Sequence, residues 1–221
     1  AKKRLYFADG TSEPYEILIS TMPLDLLVLN SNLDDLKPAT RLLKHSSSNI
    51  VGLGLKGAPP PALQRKCWMY FPENNCPFYR VTVFSNYSPH NVPDIDKYWS
   101  LMLEVSESPC KPVNRAAMIE EVISGALNTR LIESKDQVVS TWMYHAPYGY
   151  PTPSLERDQA LDVLLPALGE HDIYSRGRFG AWKYEVSNQD HSVMQGVECV
   201  NNVLFGTDEV TVFHPTIVNG R

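Results

Sequence analysis

Gly52-Leu53-Gly54-Leu55-Lys56-Gly57 follows an apolar run and spells G-x-G-x-x-G, but Ala58-Pro59-Pro60-Pro61 comes directly after it. The dinucleotide fingerprint needs a helix to open behind its first glycine, so that the helix N-terminus meets the pyrophosphate. Consecutive prolines forbid that helix. The match is therefore a decoy, and Asn49 to Leu55 is a strand that runs into a loop. If this protein binds a dinucleotide, its main phosphate loop lies outside these 221 residues.

The rest of the pattern is mixed. Leu5-Tyr6-Phe7, Asp9-Gly10-Thr11 and Glu16 to Ser20 read as a hairpin with a glycine turn, ended by Pro23. Pro38 to His45 is a short helix. Tyr79 to Ser85 and Ser100 to Ser106 alternate with period two, as half-buried strands do. Three helices follow. Asn114 to Leu127 has an apolar face through Met118, Ile119, Val122, Ile123 and Ala126. Leu155 to Leu168 is ended or kinked by Pro166. His191 to Leu204 carries Val193, Met194, Val197, Val200 and Val203 on one side, with Asp190 as N-cap and Gly206 past its end. Strands cluster between 48 and 106 and helices come later, which is α+β within this span.

Composition removes several classes. With 43% hydrophobic and 20% charged residues the chain is not of disordered type. A net charge of -5 and a pI near 5.7 leave no basic field for general nucleic-acid binding. No apolar run reaches the roughly 20 residues of a membrane span. The basic start, Ala1-Lys2-Lys3-Arg4, has no long apolar stretch behind it and is not read as a signal peptide. The chain opens without Met and stops at Asn219-Gly220-Arg221, so it is expected to be a piece of something longer. Cys67, Cys76, Cys110 and Cys199 show no CxxC pair and no zinc-ribbon spacing; Cys67 and Cys76 could in principle bridge, but a chain of this size does not need the staple, and the six histidines are scattered. The sequon Asn86-Tyr87-Ser88 is read as fortuitous.

Three aromatic stretches hold the candidate chemistry. In Cys67 to Arg80, Arg80 opens an alternating strand, with Val81 and Val83 on one face and Arg80, Thr82 and Phe84 on the other. An Arg on a concave face suits bidentate phosphate or carboxylate binding. Tyr144 to Tyr150 and Tyr174 to Glu185 add hydroxyls and guanidinium forks that suit a diphosphate, although tyrosines on loops are more often structural. There is no Ser-His-Asp or Cys-His set and no metal cluster. Phosphate binders without a protein nucleophile point to a cofactor doing the chemistry, or to none.

Taken together, five segments resemble the eukaryotic, fungal-type UDP-galactopyranose mutases. They are Lys66 to Arg80 (KCWMYFPENNCPFYR), Phe84 to Pro89 (FSNYSP), Trp99 to Ser108 (WSLMLEVSES), Gly149 to Arg157 (GYPTPSLER) and Ser175 to Ser192 (SRGRFGAWKYEVSNQDHS). They are collinear and span nearly the whole chain, but only the C-terminal half of such an enzyme. The resemblance implies a FAD-linked flavoprotein fold with an antiparallel substrate-side sheet, its N-terminal Rossmann unit absent. It divides the chain into 1–36 (a returning part of the FAD domain), 37–147 (the sheet domain) and 148–221 (the return to the FAD domain). The implied reaction interconverts UDP-galactopyranose and UDP-galactofuranose, with N5 of reduced FAD as the nucleophile and NADPH as reductant. The isolated chain is expected to be inactive and the location cytoplasmic.

Residue by residue, the resemblance makes Arg80, Tyr150 and Tyr184 diphosphate ligands. Trp68 and Tyr87 border the sugar and phosphate, and Tyr70 the nucleotide. Arg178 and Asn188 lie near galactose and flavin, and Gln189 and Ser192 on the ribityl side. The helix near His191 aims its positive end at the flavin, where charge gathers on reduction. Ser187 stands where the family motif has Gly, which allows the loop before Asn188 to bend differently. UDP-galactose is the implied partner, with no nucleic acid and no membrane. A homo-oligomer or a complementing N-terminal half stays open. So do two other readings: a non-catalytic sugar-nucleotide-binding fragment, and a FAD-dependent oxidoreductase of amine-oxidase type.

Overall fold

The computed structural model describes residues 3–220; Ala1 and Lys2 of the basic start, and Arg221, lie outside the described residues. In chain order the elements are β1 (Arg4–Tyr6), β2 (Ser12–Pro14), β3 (Leu18–Ser20), α1 (Leu24–Leu29), a 3₁₀ segment (Asp34–Leu42), β4 (His45–Lys56), β5 (Trp68–Tyr70) and β6 (Arg80–Val83). Then come β7 (Tyr98–Glu107), α2 (Met118–Asn128), β8 (Val138–Pro151), α3 (Arg157–Gly169), β9 (Ile173–Ser175), α4 (Gln189–Phe205), α5 (Val210–Phe213) and α6 (Pro215–Val218). The chain forms two compact units. One takes the segments up to His45 and from Tyr150 onward; the other is Ser46–Gly149.

The Ser46–Gly149 unit is built on a five-stranded sheet in the order β5-β6-β7-β4-β8. The β5–β6, β6–β7 and β7–β4 pairs are antiparallel, and partners directly across them share a face. Val51, Leu53, Val81, Val83, Leu101 and Leu103 line one face and are almost fully buried, together with Met118, Val122 and Ala126 of α2. The period-two reading of β6 and β7 and the period-3.6 reading of α2 thus meet in one core. The helix starts later than its pattern suggests. The Asn114 side chain accepts the Ala116 N–H (3.2 Å) and makes a local turn first.

Gly52 and Gly54 lie inside β4, and no helix follows Gly57. Their hydrogens leave room for β8: a Cβ at Gly52 would touch the Trp142 ring, and one at Gly54 would collide with the Ser140 hydroxyl. The glycines serve strand packing, not phosphate.

In the other unit, the N-terminal hairpin differs from the sequence reading. Its second strand is Ser12–Pro14, in register Tyr6↔Ser12. The Asp9 carboxylate accepts both the N–H and the hydroxyl of Thr11, closing a turn too tight to bring Glu16 opposite Tyr6. Leu18–Ser20 instead pairs in parallel with β9, Ile173–Ser175. Pro166 sits inside α3, which continues to Gly169 and neither stops nor breaks there. Asp190 is inside α4; the N-cap position belongs to Asn188, whose side chain makes no capping bond. Gly206 closes α4 in the left-handed conformation, as expected. Along α4, Val193, Met194, Val197 and Val200 are 42–68% exposed within this unit, an apolar stripe on the helix's outer side.

Candidate functional site

The two units carry separate clusters of candidate residues. In the sheet unit, cross-strand rows fix which side chains meet. Tyr70, Arg80, Glu104 and Ile50 form one row; Trp68, Thr82, Met102 and Gly52 form the next. Trp68, Tyr70 and Arg80 therefore share the face opposite the core. Trp68 and Tyr70 are more than half exposed. Along the same face runs a cleft of about 810 Å3, lined among others by Gly52, Phe84, Ser100, Met102 and Trp142.

Arg80 is held before any ligand arrives. Its Nε donates to Glu104 Oε1 and its Nη2 to Glu104 Oε2, both at 2.7 Å. The Tyr79 hydroxyl donates to the same carboxylate at 2.9 Å. Glu104 is 5% exposed, while 27% of the Arg80 side chain reaches solvent. A buried carboxylate needs such partners, and the fork fixes the guanidinium plane. The sequence reading missed Glu104. Its signal was a lone charge in an otherwise apolar alternating strand.

Tyr87 follows a 3₁₀ turn, Phe84–Asn86, and packs edge-on to Phe84 at 6.1 Å. The turn is pinned by Asn86, whose Nδ2 lies within 3.2 Å of the carbonyls of Leu63, Gln64 and Lys66. The same bonds occupy the sequon's amide, which ties the loop leading into Trp68.

In the other unit, residues far apart in sequence converge. The Arg178 guanidinium lies over the Tyr150 ring at 4.9 Å. The Tyr150 and Tyr184 rings are 6.0 Å apart at 62°. Tyr150 is the penultimate residue of β8, and Tyr184 opens a 3₁₀ turn, Tyr184–Val186. Arg178 sits in the loop after β9, which is tightly constrained. Arg176, 5% exposed, forms a two-pronged ion pair with buried Glu209 at 2.5 and 2.6 Å. Gly177 takes φ +88°, which side chains rarely adopt. Trp182, fully buried, is also left-handed (φ 56°), and its Nε1 donates to the Lys44 carbonyl. A non-glycine residue in that region is held there by its surroundings; here the Phe179 and His45 rings flank it edge-on.

The Tyr184 turn is clamped by Arg157, which donates to both oxygens of Glu185 at 2.7 and 2.9 Å. Burial works against the Arg157 charge, but the Glu185 and Asp158 carboxylates outweigh it and raise its pKa. Ser187 has φ -120° and ψ 8°, a negative φ that does not require glycine, and its hydroxyl donates to the Tyr184 carbonyl at 2.9 Å. Asn188 and Gln189 are exposed and Ser192 half-buried at the start of α4, where the Ser192 N–H donates to the Asn188 carbonyl. Thus Tyr150, Tyr184 and Arg178 come together, and Asn188, Gln189 and Ser192 share one helix start.

No family model matches the sequence. Among solved structures, the chain is similar to a reduced UDP-galactopyranose mutase. The TM-score is 0.93 and the identity 48%, over 99% of this chain and 47% of that one. This chain thus spans about half the length of that relative. Two more distant likenesses bear on the fold alone. One is a fatty acid isomerase from P. acnes that produces CLA, with TM-score 0.60 and 12% identity over 92% of this chain and 44% of that one. The other is a provisionally assigned protoporphyrinogen oxidase from Exiguobacterium sp. 255-15, with TM-score 0.55 and 16% identity over 80% and 39%. This chain's mixed helix and strand architecture, with its antiparallel strand pairs, matches the fold of the mutase and of the oxidase.

Proposed function

We propose that this chain is the C-terminal part of a UDP-galactopyranose mutase of fungal type, an isomerase that interconverts UDP-galactopyranose and UDP-galactofuranose. The observation that carries this reading is the close likeness to the reduced mutase along almost all of the chain. In this reading the Tyr150 and Tyr184 hydroxyls and the Arg80 guanidinium bind the diphosphate. Trp68, Tyr70 and Tyr87 supply aromatic surface to sugar and nucleotide. Arg178, stacked on Tyr150, lies beside the galactose. Glu104 holds the Arg80 guanidinium in one plane, so that its orientation is set in advance.

The residues present fit one end of FAD. The start of α4 lacks a side-chain cap, so its first N–H groups and its dipole can meet a flavin edge, with Gln189 and Ser192 beside them and Arg178 as a further contact. Among the described residues no fingerprint helix is available to the pyrophosphate. When bound and reduced, by NADPH in this reading, the flavin supplies the nucleophile that the protein lacks. The apolar stripe on α4 is then covered by the remainder of the mutase polypeptide.

UDP titration of the reduced holoenzyme tests the reading. Tyr184→Phe keeps the ring and removes one bond to a charged acceptor, roughly 1.5–3 kcal/mol, or about a tenfold to hundredfold loss of affinity. Tyr150→Phe has an effect of the same order, and the two couple because they grip one group. Wild-type affinity in either variant removes that tyrosine from the site.

A further inference from the structure

We propose that Gln195 is a positioning residue that sets the spacing between Arg178 and Tyr184, an inference that rests on the diphosphate-site reading above. Gln195 lies in the second turn of α4 and is fully buried. Its Oε1 accepts the Gly177 N–H at 2.7 Å, and its Nε2 donates to the Val186 carbonyl at 2.8 Å. One partner only donates and the other only accepts, so the amide has a single orientation. Gly177 precedes Arg178, and Val186 closes the turn that opens at Tyr184. A single carboxamide therefore ties the two loops that carry the stacked set to one helix. The bonds that hold each loop separately do not do this: Arg157 grips Glu185, and Arg176 grips Glu209.

The pair of bonds needs one donor and one acceptor at fixed reach. Leucine supplies neither. Glutamate keeps the acceptor but turns a carboxylate toward the Val186 carbonyl oxygen. Protonated, the same side chain is a near isostere of glutamine and donates again. Burial raises a carboxyl pKa, so this repair comes on as pH falls.

The test uses the reduced holoenzyme, with UDP as the probe. Gln195→Leu is expected to weaken UDP by about tenfold or more. Amide exchange in segments 176–180 and 184–187 should accelerate together. In Gln195→Glu, the affinity relative to wild type at the same pH should recover on acidification. Cys199→Ala, one turn on and equally buried, serves as a control for loss of helix packing and should leave UDP affinity intact. The proposal is overturned if Gln195→Leu lowers thermal stability like the control yet keeps UDP affinity, or if only one of the two segments loses protection. Should Gln195→Leu fail to fold, the pH response of Gln195→Glu decides, and a flat ratio counts against the proposal. If wild type itself binds no UDP, the diphosphate reading falls. The exchange data then decide separately whether Gln195 couples the two loops.

Discussion

Arg80 answers to two demands, since its fork neutralises buried Glu104 and, in the proposed reading, also meets a diphosphate. Arg80→Ala is expected to lower thermal stability, because Glu104 is left buried without its cation. It should also raise KM, by an interaction of about 1.5–3 kcal/mol. Arg80→Lys should keep most of the stability but recover only part of the affinity, because an ammonium lacks the planar fork. Melting curves and KM for both variants separate the two roles. Unchanged KM alongside reduced stability would make Arg80 purely structural. At the same scale, His45 lies edge-on to Phe179 and Trp182. Burial pushes its pKa below the ordinary 6.5, with Asp25 pulling partly back. The unfolded chain therefore takes up the proton first. The stability contributed by neutral His45 is complete above the unfolded pKa and is lost as pH falls below it. The melting temperature should fall as pH drops below about 6.5, and fall less in His45→Phe. Equal slopes would exclude His45 as the source.

Loops decide the site, and their fit is as close as that of a core. Gly180 lies against the Arg176 backbone, and a Cβ there would collide with the Arg176 carbonyl. Backbone cannot rotate away as the Ser140 hydroxyl near Gly54 can. Gly180→Ala should therefore cost about 1–3 kcal/mol and displace Arg178 from Tyr150. Thermal unfolding and UDP titration check both parts, and wild-type values in both would contradict the loop geometry. At this scale the limits of the sequence are clear. The strands around Val81 and Leu103 were legible because one buried face imposes period two. The second hairpin strand was not, because the Asp9 side chain closes a tight turn that sets the register. Arg80 stood out, yet Glu104 opposite it did not, since cross-strand pairing is invisible without the fold. The Tyr150 and Tyr184 roles came from motif resemblance. The Arg157–Glu185 clamp and the Gln195 bridge left no signal, because partners 28 and 18 residues apart share no periodicity.

At the scale of the whole molecule, two features agree with the proposed reading of this chain as part of a longer mutase. Parallel sheets are normally buried on both faces, but among the described residues β3 and β9 form a two-stranded sheet. The outer side of α4 is apolar and exposed in its unit. The longer mutase relative, about half of which this chain spans, accounts for both in the proposed reading. The glycines of β4 do not form a phosphate loop, because Trp142 and Ser140 lie over them. No helix among the described residues is long and apolar enough to cross a membrane. The most direct measurement expresses the whole coding sequence that contains this chain, reduces the purified flavoprotein and supplies UDP-galactofuranose, with the products separated by chromatography. The account predicts conversion to UDP-galactopyranose that depends on reduction and is lowered in Tyr184→Phe. A reduced, flavin-loaded protein that binds UDP but leaves UDP-galactofuranose unchanged would contradict it.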